Sequence, residues 1–251
     1  MATGKNKLLR FCRAYFGGYD LSGDSRTFGA LNNSVGEIEI GGWSETAMNY
    51  VTDARRVIGL DGYQTIVNDT AGRSFAQLKD APQAHVITIA LGGGAAPAAG
   101  DVSYVLPGVQ LDGVVTINGG IATLSSVNAK ASASTIGANY YQPFGKVLLP
   151  LTALTTTTNG TGVNFLTGSA GWGATLHITV SSGGTWSYVL QSSATGAYAG
   201  EEATLSTFAA NGSAVTAEFL SGSDNISGYV RLRAVRTSGT CTAFCALTRN
   251  Y

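Results

Sequence analysis

Glu37 and Glu39 stand two apart in residues 35–40, a run that alternates apolar and polar positions. On a strand, such a pair shares one face at about 6.6 Å. Two carboxylates at that separation can act as acid and base in glycoside hydrolysis. The plainer reading of alternating glutamates is a stripe that faces solvent. Arg231, Arg233 and Arg236 fall together in a second strand-like run, residues 229–236, and Arg231 and Arg233 share a face. They suit an acidic partner surface or a phosphate. Equally, they suit an edge strand whose charges discourage unwanted pairing.

Other groups that could do chemistry are thinly supplied. The chain has two histidines, His85 and His177, each inside an apolar run and each expected to be a packed or edge imidazole. No G-x-S-x-G elbow is present, and Gly168-Ser169-Ala170-Gly171 lacks its spacing. Gly92-Gly93-Gly94 follows a strand-like run and could cradle a phosphate. However, Ala95-Ala96-Pro97 comes next rather than a helix start, which favours a loop tip. The three cysteines, Cys12, Cys241 and Cys245, form no disulfide framework. Cys241 and Cys245 sit on one face of one strand at about 13 Å, beyond the reach of a bridge. They read as small buried hydrophobes. Trp172, Trp186, Tyr188 and Phe208 could line a sugar-binding face, although large aromatics more often fill β cores. With no acid–base pair or metal cluster of recognisable spacing, the chain is expected not to be an enzyme and to use no metal or cofactor.

The elements that must position these groups are strands. Thirty-four glycines and short β-branched runs broken by Gly, Asn, Asp and Ser mark many strands joined by turns. Runs at residues 8–16, 35–40, 85–91, 102–106, 114–117, 174–180, 186–191, 214–220, 229–236 and 241–247 carry the pattern. One short helix is expected at residues 44–51, with Ser44 as N-cap. Residues 73–79 fit either a helix or a strand. Pro143 and Pro150 flank a change in composition, which places a boundary between residues 1–145 and 146–251. The fold class is all-β. The first part is a barrel or two-sheet domain with the short helix, and the second a β-sandwich.

Charged residues make up 12% of the chain, about half the usual fraction, and the net charge is zero. A protein that grips nucleic acid by its phosphates needs a basic surplus, so tight DNA binding is not expected. Low charge favours self-association. The charges are segregated, with nine basic and nine acidic residues in residues 1–80. No apolar run reaches transmembrane length and residues 1–13 carry no signal-peptide pattern. The chain is expected to be soluble, cytoplasmically made and free of membrane contact.

Tyr15-Phe16-Gly17-Gly18-Tyr19-Asp20-Leu21-Ser22-Gly23 resembles the opening strand and turn of the tail-tube proteins of long-tailed phages. Residues 35–43, Leu60-Asp61-Gly62-Tyr63, Tyr104-Val105-Leu106-Pro107-Gly108-Val109 and residues 114–117 resemble its later strands. The likeness covers roughly residues 8–145. Residues 171–180, 184–193, 203–208 and 229–236 resemble the β-sandwich modules attached to many phage structural proteins. Where such modules carry an acidic residue after the serine pair Ser192-Ser193, this chain has Ala194-Thr195. The resemblance implies a virion subunit, assembled in the host cytoplasm, whose copies join sheets edge to edge into stacked rings of three or six. Its partners would be itself and other tail proteins, with DNA passing through the lumen. Glu37 and Glu39 would then face that lumen and repel the DNA, and Arg231, Arg233 and Arg236 would lie at an interface. A capsid decoration or cement protein and a carbohydrate-binding adhesin module are the alternatives.

Overall fold

The computed structural model describes residues 11–22, 25–28, 32–40, 48–63, 83–93, 95–110, 114–118, 121–131, 143–168 and 171–249. Within 25–63, at 83 and within 109–131 the description is of backbone and strand pairing. In the first half lie β1 (Cys12–Phe16), β2 (Tyr19–Asp20), β3 (Ser25–Phe28), β4 (Asn32–Ile40), β5 (Met48–Tyr63) and β6 (Gln83–Leu91). Next come β7 (Val102–Gln110), β8 (Val114–Asn118), β9 (Ile121–Ala131) and β10 (Phe144–Leu154). The last are β11 (Thr158–Asn159), β12 (Val163–Asn164), β13 (Trp172–Ser181), β14 (Trp186–Ser193), β15 (Ala203–Thr207), β16 (Thr216–Gly222), β17 (Tyr229–Arg236) and β18 (Cys241–Arg249). All pairings are antiparallel, and no α-helix occurs among the described residues.

Two sheets result. The larger, of 13 strands, runs β16-β13-β18-β10-β7-β6-β1-β2, with β9 joined to β7 and β5, β8 to β9, and β3 and β4 to β5. The smaller, of five, runs β11-β17-β14-β15, with β12 also on β17. The all-β reading is what the molecule shows. The helix at residues 44–51 is corrected, because Met48 already opens β5. That strand carries Val51, Thr52, Val57 and Ile58 and is hydrogen-bonded to β4 and β9. Cross-strand pairing outweighs the weak propensity of a single unsupported turn. Residues 44–47 and 73–79 lie outside the described residues.

The small sheet packs on β10, β13 and β18 to make a sandwich. Its core takes Leu148, Leu154, Trp172, Leu176, Ile178, Cys245 and Leu247 from one side and Trp186, Tyr188, Leu190, Val230, Leu232 and Ala234 from the other. The alternate residues of the same strands are buried too. Phe244 and Ala246 of β18 and Val147 of β10 join Tyr15 of β1, Ala90 of β6 and Val105 of β7 in a second core, with Phe219 of β16 packed against it. Strands from opposite ends of the eight-strand path thus share one interior, so the sheet curls around it. Gly18, in the β1–β2 turn, seals the curl. A Cβ there would lie 2.5 Å from the Thr216 carbonyl oxygen, and its φ of +95° suits glycine alone. The outer face of β1, β6 and β7 buries a third cluster of Ala14, Phe16, Leu21, Ile87, Ile89, Tyr104 and Leu106.

β10 carries the chain across residues 145–146. Phe144, Gly145 and Lys146 pair with β7 on one side, and Gly145 through Leu154 pair with β18 on the other. Between Leu149 and Thr152 it gains one residue over β18, a bulge that accommodates Pro150 and turns Leu151 outward. Pro107, similarly, lies in β7 between the stretch paired with β10 and the stretch paired with β9.

Candidate functional site

β17 is the central strand of the small sheet. Val230, Leu232 and Ala234 point into the sandwich, so Tyr229, Arg231, Arg233 and Val235 point outward. The strand is hydrogen-bonded on both sides, to β14 along its length and to β11 and β12 opposite. The edge-strand reading of these arginines is therefore corrected, because this strand has no open edge to protect. Sequence alone gives the face of each arginine but not the strand's neighbours.

Arg231 is held in place. Its Nε donates to Gln191 Oε1 at 3.0 Å, and its guanidinium lies 3.9 Å from the centre of the Tyr198 ring. The stacking is a cation–π contact that also fixes the plane of the fork. Arg233 stands opposite Val189 on β14 and Asn159 on β11. Among the described residues, no carboxylate pairs with either arginine. Arg236 differs, because its Nε donates to the Gly239 carbonyl at 2.6 Å and closes the β17–β18 turn.

The loop that presents Tyr198 is organised by Glu201. Its Oε1 accepts from the Ser193 hydroxyl, the Thr195 hydroxyl at 2.5 Å, and the backbone N–H groups of Thr195 and Tyr198, each at 3.3 Å. The hydroxyls of Ser193 and then Thr195 hold the Glu201 carboxyl down to about 2. Tyr198 takes a φ of 65°, a left-handed conformation that the cradle imposes. Burial pushes its phenol up to about 12. Glu201 thus supplies a carboxylate to Ser193 from further along the chain. Its partner, Ser193, was in view in the sequence, but the turn that brings Glu201 back was not.

The other polar groups singled out in the sequence hold structure together. His177 on β13 is fully buried. Its Nε2 lies 2.9 Å from Thr88 Oγ1 on β6, which lies 2.8 Å from Thr175 Oγ1. Tyr15 stacks on Phe244 beside it. Desolvation lowers the imidazole to about 3, and Nδ1 has no hydrogen-bond partner among the described residues. His85 is also buried, with its ring edge-on to Phe16. Arg249, buried at the end of β18, donates to the Phe165 and Leu166 carbonyls and pins the β12–β13 connection. Cys12, Cys241 and Cys245 are free. Cys241 and Cys245 lie in the sandwich core, with the Tyr188 hydroxyl 2.9 Å from Cys241 Sγ. Burial raises all three thiols.

Trp172, Trp186, Tyr188 and Phe208 are all buried in that core, so they cannot form an exposed sugar platform. Gly92 lies where its N–H donates to Phe11 O at 3.2 Å, in the turn leaving β6, and Asp101 caps the same connection at Ala98 N. Gly94 and Ser169 lie outside the described residues. Glu37 and Glu39 fall in β4 as expected, opposite Val51 and Asn49 of β5. No helix among the described residues is long and apolar enough to cross a membrane.

No protein-family model matches the chain. No curated protein matches it either. Among solved structures it aligns with the Dit protein (gp 19.1) of phage SPP1, described as a paradigm of the hub adsorption apparatus in phages infecting Gram-positive bacteria. The alignment spans 96% of this chain and 99% of Dit, at 12% identity and a TM-score of 0.34. A superposition of that quality establishes no common fold, and Dit's role does not transfer with it.

Proposed function

We propose that the chain is a structural subunit of a phage tail, and specifically of its tube, assembling with copies of itself into rings of three or six that stack. The observation that carries this reading is where the hydrogen-bonding capacity lies. The faces of β1, β6, β7, β10 and β18 are consumed by internal cores on both sides, and β13 buries Thr175 and His177 on the face away from the sandwich. The margins are not consumed. Among the described residues, β4 pairs with β5 alone and β15 with β14 alone. A strand margin with unspent N–H and C=O groups is a template for a neighbouring copy. A chain with 12% charged residues has little electrostatic resistance to such contact. The resemblance of residues 8–145 and of the C-terminal strands to phage tail-tube and sandwich modules supports the same reading.

Negative-stain microscopy of the purified full chain tests it. Stacked rings or tubes are expected. Rings that never stack would remove the tube, and compact trimers without a lumen would favour a decoration protein. A chain monomeric at all concentrations would end the proposal.

A further inference from the structure

Among the described residues, the outer face of β17 lacks its counter-charge. Arg231 is pre-organised by Gln191 and Tyr198, Arg233 stands two residues along, and among the described residues neither meets a carboxylate. Alternate positions of one strand lie about 6.6 Å apart along the backbone. In a sequence with 15 acidic residues, Glu37 and Glu39 are the only acidic pair with that two-residue spacing. They occupy alternate positions of β4 with unbroken register against Asn49 and Val51, on a strand paired with β5 alone.

We propose that the outer face of β17 docks β4 of a second copy, Arg231 and Arg233 meeting Glu37 and Glu39 at matched spacing. The inference rests on the self-assembly proposed above and replaces the lumenal place of the two glutamates with a subunit contact. The contact is heterologous, using different surfaces on the two copies, so it propagates into a ring or stack rather than stopping at a dimer. Fixing Arg231 beforehand lowers the ordering cost of binding, and the fork geometry suits carboxylates. Among the described residues no carboxylate lies within ion-pair distance of the two arginines, which keeps their charge available for a partner. Glu201, in the loop that presents Tyr198, is occupied by Ser193, Thr195 and Tyr198.

Heterologous geometry allows a complementation test with full-length chains. One variant carries Arg231→Glu and Arg233→Glu, the other Glu37→Arg and Glu39→Arg. Each alone presents like charges at every contact and is expected to stay unassembled in sedimentation velocity and negative stain. Mixed one to one, alternating copies present only opposite charges, and a ring of six or an open stack, which allow that alternation, should assemble as the unaltered chain does. Arg233→Glu alone, at an outward-facing position with no side-chain hydrogen bond or ion pair among the described residues, should raise the concentration for half-assembly about tenfold. High salt should reproduce that weakening. Unaltered assembly by the charge-reversed variants, or a mixture that fails to assemble while each variant keeps its buried-tryptophan fluorescence, would overturn the docking and leave self-assembly standing. A monomeric unaltered chain would overturn both.

Discussion

His177 shows how a single side chain can tie together strands distant in sequence. Thr88 and His177 are 89 residues apart, and their hydrogen bond spans the curled interior between β6 and β13. The groups around the ring are Tyr15 from β1, Thr88 from β6, Thr175 from β13 and Phe244 from β18, none of them charged. Arg13 and Asp20 act on the neighbouring Tyr15 phenol, which burial raises most strongly. The imidazole is held neutral, with its folded value near 3, below the ordinary 6.5. The unfolded chain therefore binds the proton first. The stability from keeping this ring neutral is fully present above about pH 6.5 and is lost progressively as pH falls toward 3, by up to about 1.4 kcal/mol per pH unit. Urea midpoints between pH 7 and pH 4 should show that decline, and His177→Gln, which keeps a polar group but cannot titrate, should flatten it. Equal slopes in the two proteins would assign the decline to other groups. In the sequence His177 is one histidine in an apolar run. Its burial was legible there, but Thr88 as its partner was not, because nothing local records that β6 lies against β13.

At the scale of elements, the strands were legible and their neighbours were not. Residues 229–236 read as a strand from composition alone, and β17 spans Tyr229–Arg236. Alternation also gave the correct faces for its arginines. It could not show that β17 is central, since that depends on β11 and β12, two short strands of two residues each that no periodicity reveals. The same limit explains residues 44–51. A possible cap at Ser44 is a local signal, whereas β5 is held by β4 and β9 on either side. The loop from Ser193 to Glu201 was half legible, as the serine pair was visible and the returning carboxylate was not. Its dependence on Glu201 is testable by hydrogen exchange. Glu201→Ala should speed exchange at the Thr195 and Tyr198 amides at least severalfold while leaving the β14 and β17 ladder protected. Loss of protection across the whole small sheet would show that Glu201 carries more than the loop.

For the whole molecule, the two interiors share strands β10, β13 and β18, so neither should melt alone. Trp172 and Trp186 report on the sandwich, while Tyr15, stacked on Phe244, reports on the curled core. Denaturation followed by tryptophan fluorescence and by near-ultraviolet tyrosine signals should give coincident transitions. Phe244→Ala should cost about 3–5 kcal/mol and shift both signals together. Two separate transitions would mean that residues 1–145 and 146–251 unfold as independent units despite their common sheet.

The position of β18 also bears on synthesis. The strand runs between β10 and β13, with alternate side chains in either interior, and it ends at Arg249. A nascent chain emerging from the ribosome can pair β6 with β7 or β14 with β17 early. It cannot close either hydrophobic interior until this late strand arrives, and Gly145 meets its partner Thr248 only across about a hundred intervening residues. Prematurely terminated copies would be left with both interiors open. Only molecules translated through that strand could close both interiors, so synthesis itself would screen which copies reach the folded state.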